Sequence, residues 1–136
     1  VEPVPFDAGS IPGIGLDESA IISLPNPASF VLQKLLAWPL RASDKRAKDL
    51  AYVYEVAILT QKQWSGVAEV VGRLREGFPS AWFDRVAGLV RREFRSLESE
   101  GPVAVVRQYR DFPGRAPTER AVWQTVNDFA EGVGMV

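Results

Sequence analysis

Apolar residues recur every three or four positions along most of this chain after residue 26, and they do not in the residues before it. The pattern is clearest between residues 80 and 99, where it comprises Trp82, Phe83, Val86, Leu89, Val90, Phe94 and Leu97. Side chains at this spacing share one face of an α-helix and can be buried together. We therefore predict a mainly α fold, in which a bundle of about six helices over residues 27–136 follows a short extended or β segment over residues 1–26.

The first two helices are delimited by residues with strong positional preferences. Asn26 is a good N-cap, and Pro27 suits the first helical position, where an N–H group would have no intrahelical partner. Pro39 ends the helix, because proline cannot donate to the carbonyl one turn earlier. Asp44 is the predicted N-cap of the second helix. Residues 27–62 are therefore predicted to form a helical hairpin.

Four further helices follow from the same pattern, over residues 64–76, 80–99, 101–109 and 118–133. Gly77 is predicted to cap the first of them at its C-terminus. Glu93 falls inside an apolar stripe, so its carboxylate must reach solvent or find a cation, because an unpaired buried charge is strongly destabilising.

The first 26 residues are rich in proline and glycine. Prolines alternate in residues 1–6, as in an edge strand or a polyproline segment, and residues 20–24 are predicted to form one short strand. Unpaired strand edges tend to find partners, so we expect these strands to pair with each other or with a second copy of the chain.

Basic residues concentrate near the turn of the predicted hairpin, and we take them as a candidate nucleotide-binding set: Lys34, Arg41, Lys45, Lys48 and Asp49. Cations near a helix N-terminus oppose the helix dipole, which favours a functional use for them, such as contact with phosphate groups. Two other interpretations are compatible with the sequence. The lysines are simply solvated, or the basic residues Arg41, Lys45 and Lys48 pair with Asp44 and Asp49, with Lys45 reaching Asp49 from one turn earlier.

The same stretch resembles part of a known family. An extended L-P-x-P leads into F-x-x-x-K-L, and a basic turn then precedes K-x-x-K-D-L, through Leu24, Pro25, Pro27, Phe30, Lys34, Leu35, Lys45, Lys48, Asp49 and Leu50. Over residues 20–60 this pattern resembles bacterial nucleotidyltransferase-fold proteins that include the AbiEii-type toxins of toxin–antitoxin systems. The resemblance implies an upstream catalytic domain with a Gly-Ser turn and a metal-binding Asp-x-Asp, followed by a helical C-terminal part. It also implies that residues 1–26 are the tail of a sheet whose other strands lie upstream.

The catalytic half of that pattern is missing from this chain. Phosphoryl transfer of this kind depends on metal ions held by paired carboxylates. The chain contains Gly9-Ser10 but no Asp-x-Asp or Glu-x-Asp, and Asp17-Glu18 are adjacent, so on a strand they face opposite sides. We therefore predict that this chain alone has no catalytic residues and holds no metal. The resemblance implies that a longer parent protein is a nucleotidyltransferase that uses Mg²⁺ and a nucleoside triphosphate.

The amino-acid composition excludes several kinds of catalytic and metal-binding site. The chain has 136 residues and a net charge of −1, with neither cysteine nor histidine. Disulfides, thiolate or imidazole catalysis and Cys/His metal sites are therefore excluded. No apolar run approaches the ~20 residues that a membrane span requires. Because the chain opens on Val1 without a leader-like segment, we expect it to be part of a longer cytoplasmic protein.

A second hypothesis comes from a different class of function. The helical part would be a non-catalytic module that binds a protein partner or forms a homodimer through an exposed aromatic stripe. The four tryptophans are interpreted as core or interface anchors and not as a platform for nucleic-acid bases. Acidic residues are interleaved with the arginines of residues 85–107, which favours an ordinary solvated face over nucleic-acid binding.

Overall fold

The observed helix boundaries follow the apolar pattern closely. The structure is a computed structural model, and it describes residues 4–7, 21–24 and 26–136. Within these residues the α-helices are α1 Pro27–Ala37, α2 Ser43–Leu59, α3 Trp64–Gly77, α4 Ser80–Glu93, α5 Glu100–Gln108 and α6 Glu119–Gly132. Short 3-10 turns cover Trp38–Leu40, Gln61–Gln63 and Pro113–Arg115. The prediction of a mainly α-helical bundle is confirmed.

Two four-residue strands precede the helices. They are β1, Val4–Asp7, and β2, Ile21–Leu24, and they pair in antiparallel register with Val4 opposite Leu24. The Gly9-Ser10 and Asp17-Glu18 pairs and Pro25 of the L-P-x-P pattern lie outside the described residues.

The first helix begins and ends where the sequence predicts. The Asn26 side chain accepts a hydrogen bond of 2.9 Å from the backbone N–H of Ala28, and Pro27 is the first helical residue. Pro39 lies within the 3-10 turn that follows α1. The predicted start of α2 is wrong by two residues: Ala42 is the extended N-cap, and its carbonyl accepts from the N–H of Arg46 at 2.9 Å. Asp44 lies inside the first turn, where its charge still favours the helix dipole.

The boundary between α3 and α4 also differs from the prediction. Gly77 is the last residue of α3 and not a left-handed cap; the only non-negative φ in the described part of the chain is that of Gly134. Phe78 ends the helix in an extended conformation, with φ −127° and ψ 156°. The physical reason is Pro79, because proline disfavours the helical region for the residue before it.

The helix α4 ends at Glu93 and not near Ser99, because tertiary packing interrupts the periodic pattern. Phe94 turns its buried ring towards Gly101, where a Cβ atom would lie 2.8 Å from ring carbons and would overlap the Glu93 carbonyl oxygen. Asn127 of α6 donates its side-chain N–H to the Phe94 carbonyl at 3.0 Å. That bond satisfies a carbonyl at the end of the helix.

Helix α2 lies at the centre of the bundle and packs against α1, α5 and α6. The fully buried side chains of the core include Leu50, Val53, Val56, Val105, Val122, Val126 and Phe129. Each such side chain contributes about 1.5–3 kcal/mol when it is removed from water. The core therefore fixes α2, and with it the polar side chains that α2 carries on its remaining faces. Among the helices of residues 26–136, none is long and apolar enough to cross a membrane.

Candidate functional site

Two of the predicted cations meet on one buried acid. Asp49 lies in the second turn of α2 and is only 2% exposed. Its Oδ1 accepts a hydrogen bond of 3.2 Å from Nζ of Lys34 in α1, and its Oδ2 accepts one of 3.0 Å from Nε of Arg41 in the connection. The Arg41 Nη2 approaches Oδ1 at 3.5 Å. Three of the five predicted site residues are thus brought together, and we call them the Asp49 cluster.

The electrostatics of the Asp49 cluster explain its geometry. A carboxylate buried this deeply is tolerated only when it is paired and hydrogen-bonded. Two cations and one carboxylate give the cluster one net positive charge. Because Lys34 and Arg41 keep part of their surfaces in water, this charge lies at the surface of the hairpin. Because its partners come from α1 and from the connection, Asp49 also joins the two arms of the hairpin.

Aromatic rings enclose the Lys34 ammonium group on two sides. Its Nζ lies 5.5 Å from the ring centre of Phe30 and 5.4 Å from that of Tyr52, and these two rings meet edge to face. Cations are attracted to ring faces at such distances. Burial, and then the Asp49 carboxylate, raise the pKa of Tyr52, so its phenol is neutral at physiological pH. The F-x-x-x-K spacing thus places Phe30 and Lys34 one turn apart on α1, where both contact Tyr52 of α2.

Arg46 is a residue whose role sequence reasoning missed. Its Nε donates to the Arg41 carbonyl at 2.9 Å and its Nη2 to the Pro39 carbonyl at 2.8 Å. Its guanidinium carbon lies 5.1 Å from the ring centre of Trp38, whose Nε1 donates to the Arg46 carbonyl. Arg46 therefore fixes the connection that presents Arg41 to Asp49. The sequence offered no signal for this, since its partners are backbone carbonyls.

Lys45 and Lys48 lie apart from these contacts. Both side chains are exposed, and neither forms an ion pair with the residues that the structure describes. The suggested pairing of Asp49 with Lys45 is therefore wrong, whereas its suggested pairing with Arg41 is confirmed. The physical reason is that Asp49 faces the interior while Lys45 faces water, and lysine placed four residues before an acid is the weaker orientation of such a pair.

A small cleft adjoins the Asp49 cluster through Tyr52. Lys48, Tyr52 and Glu55 follow one another at i, i+4 and i+7 along α2 and line it together with Gln108, Tyr109 and Phe112. Its volume of about 70 Å³ is enough for several water molecules. The hydroxyl of Tyr109 is buried and has no hydrogen-bond partner in the described part of the chain.

Glu55 gives this cleft a titratable group. The residue is 8% exposed. Burial raises the pKa of its carboxyl to about 7, and the Arg115 guanidinium, which favours the charged form, offsets only part of that effect. Sequence reasoning missed Glu55, although its position one turn beyond Tyr52 on the Lys48 face of α2 was a usable signal.

The chemistry open to these side chains is binding and positioning. Across the described residues there is no group of three or more His, Cys, Asp or Glu side chains that could hold a metal ion. Both Asp49 oxygens are already engaged by cations, so this carboxylate does not fit a Mg²⁺ site.

No family model matches this chain, and neither does any curated protein or any solved structure. Any function must therefore be argued from the residues and their geometry.

Proposed function

We propose that this chain is the C-terminal helical portion of a nucleotidyltransferase-like protein, and that the α1–α2 hairpin contacts the phosphates of the bound nucleotide. The observation that carries the proposal is the Asp49 cluster. Lys34, Arg41 and Asp49 come from α1, from the connection and from α2, and they meet within one hairpin. Lys34 and Asp49, two residues of the motif that resembles AbiEii-type proteins, are in direct contact, which supports this proposal.

Preorganisation supports a role in anion binding. Asp49 orients Lys34 and Arg41 before any ligand arrives, so the positive charge that they contribute is already fixed in position. Lys45 and Lys48 add exposed ammonium groups on α2 that have no competing ion pair among residues 26–136. In this proposal Lys48 and Lys45 make the direct phosphate contacts, and the Asp49 cluster supplies the positive field behind them.

The proposal limits what this chain contributes to the chemistry. Its part is to position phosphates and to stabilise negative charge that develops during transfer. The Mg²⁺ ligands and the residues that select the nucleotide and its acceptor would come from a catalytic part of the parent protein, outside residues 1–136. A sequence upstream of Val1 with a Gly-Ser turn followed by Asp-x-Asp would agree with this proposal.

Binding of a bare phosphate chain provides the most direct test. We expect inorganic tripolyphosphate, without metal, to raise the Tm of the chain by about 5 °C at ten times its dissociation constant, because ligand at that excess stabilises by about 1.4 kcal/mol. The measurement is thermal unfolding followed by circular dichroism at low ionic strength. Lys48→Ala should lose at least about half of the shift, because each charged contact is worth ~1 kcal/mol or more.

The matched control is Lys62→Ala, which removes an exposed lysine from the 3-10 turn after α2. This variant should keep the full shift in Tm. An absent shift in the unsubstituted chain would remove the phosphate-binding claim. Equal losses in the two variants would also contradict it, because they would indicate a general charge effect and not a site.

A further inference from the structure

Two aromatic side chains stand at the surface where α3 meets α4. Phe78 is 47% exposed and Trp82 is 38% exposed, and their rings stack with centres 5.4 Å apart at an angle of 24°. The apolar pattern predicts Trp82 as part of the buried stripe of α4, but the corner at Pro79 leaves it facing solvent. Large exposed aromatic residues are typical of the centres of protein interfaces.

These rings form one wall of an apolar hollow of about 210 Å³. Leu32 and Leu36 of α1 and Leu74 of α3 line the rest of it. The buried hydroxyl of Ser29 lies in the wall and has no hydrogen-bond partner within residues 26–136. A segment bound here would gain contact with these apolar side chains.

The hollow continues along α1 and α4. Beyond Leu36, which borders both spaces, a second hollow of about 260 Å³ is lined by Leu35, Pro39 and Leu89. We call the two together the α1–α4 groove. From residue 82 to residue 92 the helix α4 rises by roughly 15 Å, which is the length of about three helical turns.

The charges that border the α1–α4 groove have one sign. Arg85 and Arg92, two turns apart on the same face of α4, line the second hollow, and no acidic residue lines either hollow. Arg92 forms an ion pair with Glu93, in which its Nε donates to a carboxylate oxygen at 3.0 Å, so Arg85 is the groove arginine without an ion pair among residues 26–136. Asp84 lies about 100° from Arg85 around the helix axis. Gly88 lies between the two arginines, and a Cβ atom there would meet nothing within 4 Å. The α4 side of the groove is therefore open at this position.

We propose that the α1–α4 groove docks an acidic amphipathic helix of a partner protein. The apolar face of that helix fills the two hollows, and its carboxylates lie against Arg85 and Arg92. The charge complementarity identifies an acidic partner. The concave shape and the length of about three turns favour a helix in a groove over a flat membrane surface.

This surface is independent of the phosphate site. On α1 the groove residues Ser29, Leu32 and Leu36 lie on the side opposite Lys34, because they are separated from it by about 140–160° on a helical wheel. Docking of a partner helix would therefore leave the Asp49 cluster accessible.

Two designed helical peptides of about 16 residues test the proposal. Both carry leucine at helical spacing; the first carries glutamate on the flanks of the apolar face and the second carries lysine at the same positions. We expect the acidic peptide to bind at least about tenfold more tightly than the basic one, measured by fluorescence anisotropy at low salt. Trp82→Ala should weaken binding of the acidic peptide at least about tenfold.

The control variant is Phe112→Ala, because Phe112 is a similarly exposed aromatic side chain at 41% and lies away from the groove. It should bind the acidic peptide as the unsubstituted chain does, and so should Lys48→Ala. Arg85→Glu should reverse the preference towards the basic peptide even if Trp82→Ala lowers the stability of the fold.

Three results would overturn the proposal. The first is failure of the acidic peptide to bind, or equal binding to Trp82→Ala. The second is binding of the chain to phosphatidylglycerol vesicles through Trp82 in place of the peptide. The third is a concentration-dependent dimer in sedimentation that Trp82→Ala abolishes, which would assign the groove to a second copy of this chain.

Discussion

Replacing Asp49 by asparagine should lower the free energy of unfolding by about 3 kcal/mol. The substitution keeps the size of the side chain but removes the charge that holds Lys34 and Arg41 together. Loss of one partner of a buried ion pair typically costs about 3–5 kcal/mol. The lower end applies here, because the Lys34 and Arg41 side chains are 27% and 38% exposed and can turn towards water. Urea-induced unfolding followed by tryptophan fluorescence measures the loss.

The control for this prediction is Asp128→Asn, which neutralises an exposed acid on α6 and should change the stability by no more than about 0.5 kcal/mol. A double-mutant cycle between Asp49→Asn and Lys34→Met should give a coupling energy of about 1 kcal/mol or more, since the two side chains are in direct contact. If Asp49→Asn costs no more than the control, the cluster does not stabilise the hairpin.

Glu55→Gln should make the protein more stable above neutral pH, by about 3 kcal/mol near pH 8. Burial raises the pKa of Glu55 to about 7 from an ordinary value of 4.5. Below pH 4.5 the carboxyl is protonated in both the folded and the unfolded chain, so it adds no pH dependence. Between these two pKa values only the folded chain keeps the proton, so the stability falls as the pH rises and levels off above about pH 7. Glutamine cannot ionise, so the variant should lack this fall.

Unfolding in urea at a series of pH values from about 4 to 8 measures the effect. The two proteins should have similar stability near the acid end of the series and should diverge as the pH rises. Glu98→Gln, at an exposed position, should keep the pH dependence of the unsubstituted chain. A Glu55→Gln variant that is less stable at high pH would contradict the prediction, because the contact between Glu55 and Arg115 would then outweigh the cost of burial.

Most of the helices could be predicted from the sequence because their signals are local. The N-cap bond of Asn26, the N-terminal position of Pro27 and the cap at Thr118, which accepts from the N–H of Ala121, depend on residues within one turn. The end of α4 could not be predicted in this way. It depends on Gly101 and Asn127, which reach Phe94 from α5 and α6.

In the candidate site, too, the sequence predicted which residues lie close along the chain but not which of them are brought together by tertiary packing. The sequence places Lys34, Arg41 and Asp49 near one turn and suggests both Arg41 and Lys45 as partners of Asp49, but not Lys34. The structure shows Lys34 and Arg41 in that role, because the hairpin brings α1 against the buried side of α2. Glu55 was missed for a related reason: its pKa depends on how deeply α5 and the loop after it cover it.

The amino-acid sequence by itself determined the helical class, the positions of the helix starts at Asn26 and Thr118, and the absence of any thiol or imidazole chemistry. Only the tertiary structure decided that Asp49 joins two cations, that Glu55 is buried, and that Trp82 faces solvent beside a groove. The physical reason is range. Caps and helical periodicity act between neighbours in the chain, whereas burial, ion pairing and exposure depend on which distant helices pack together.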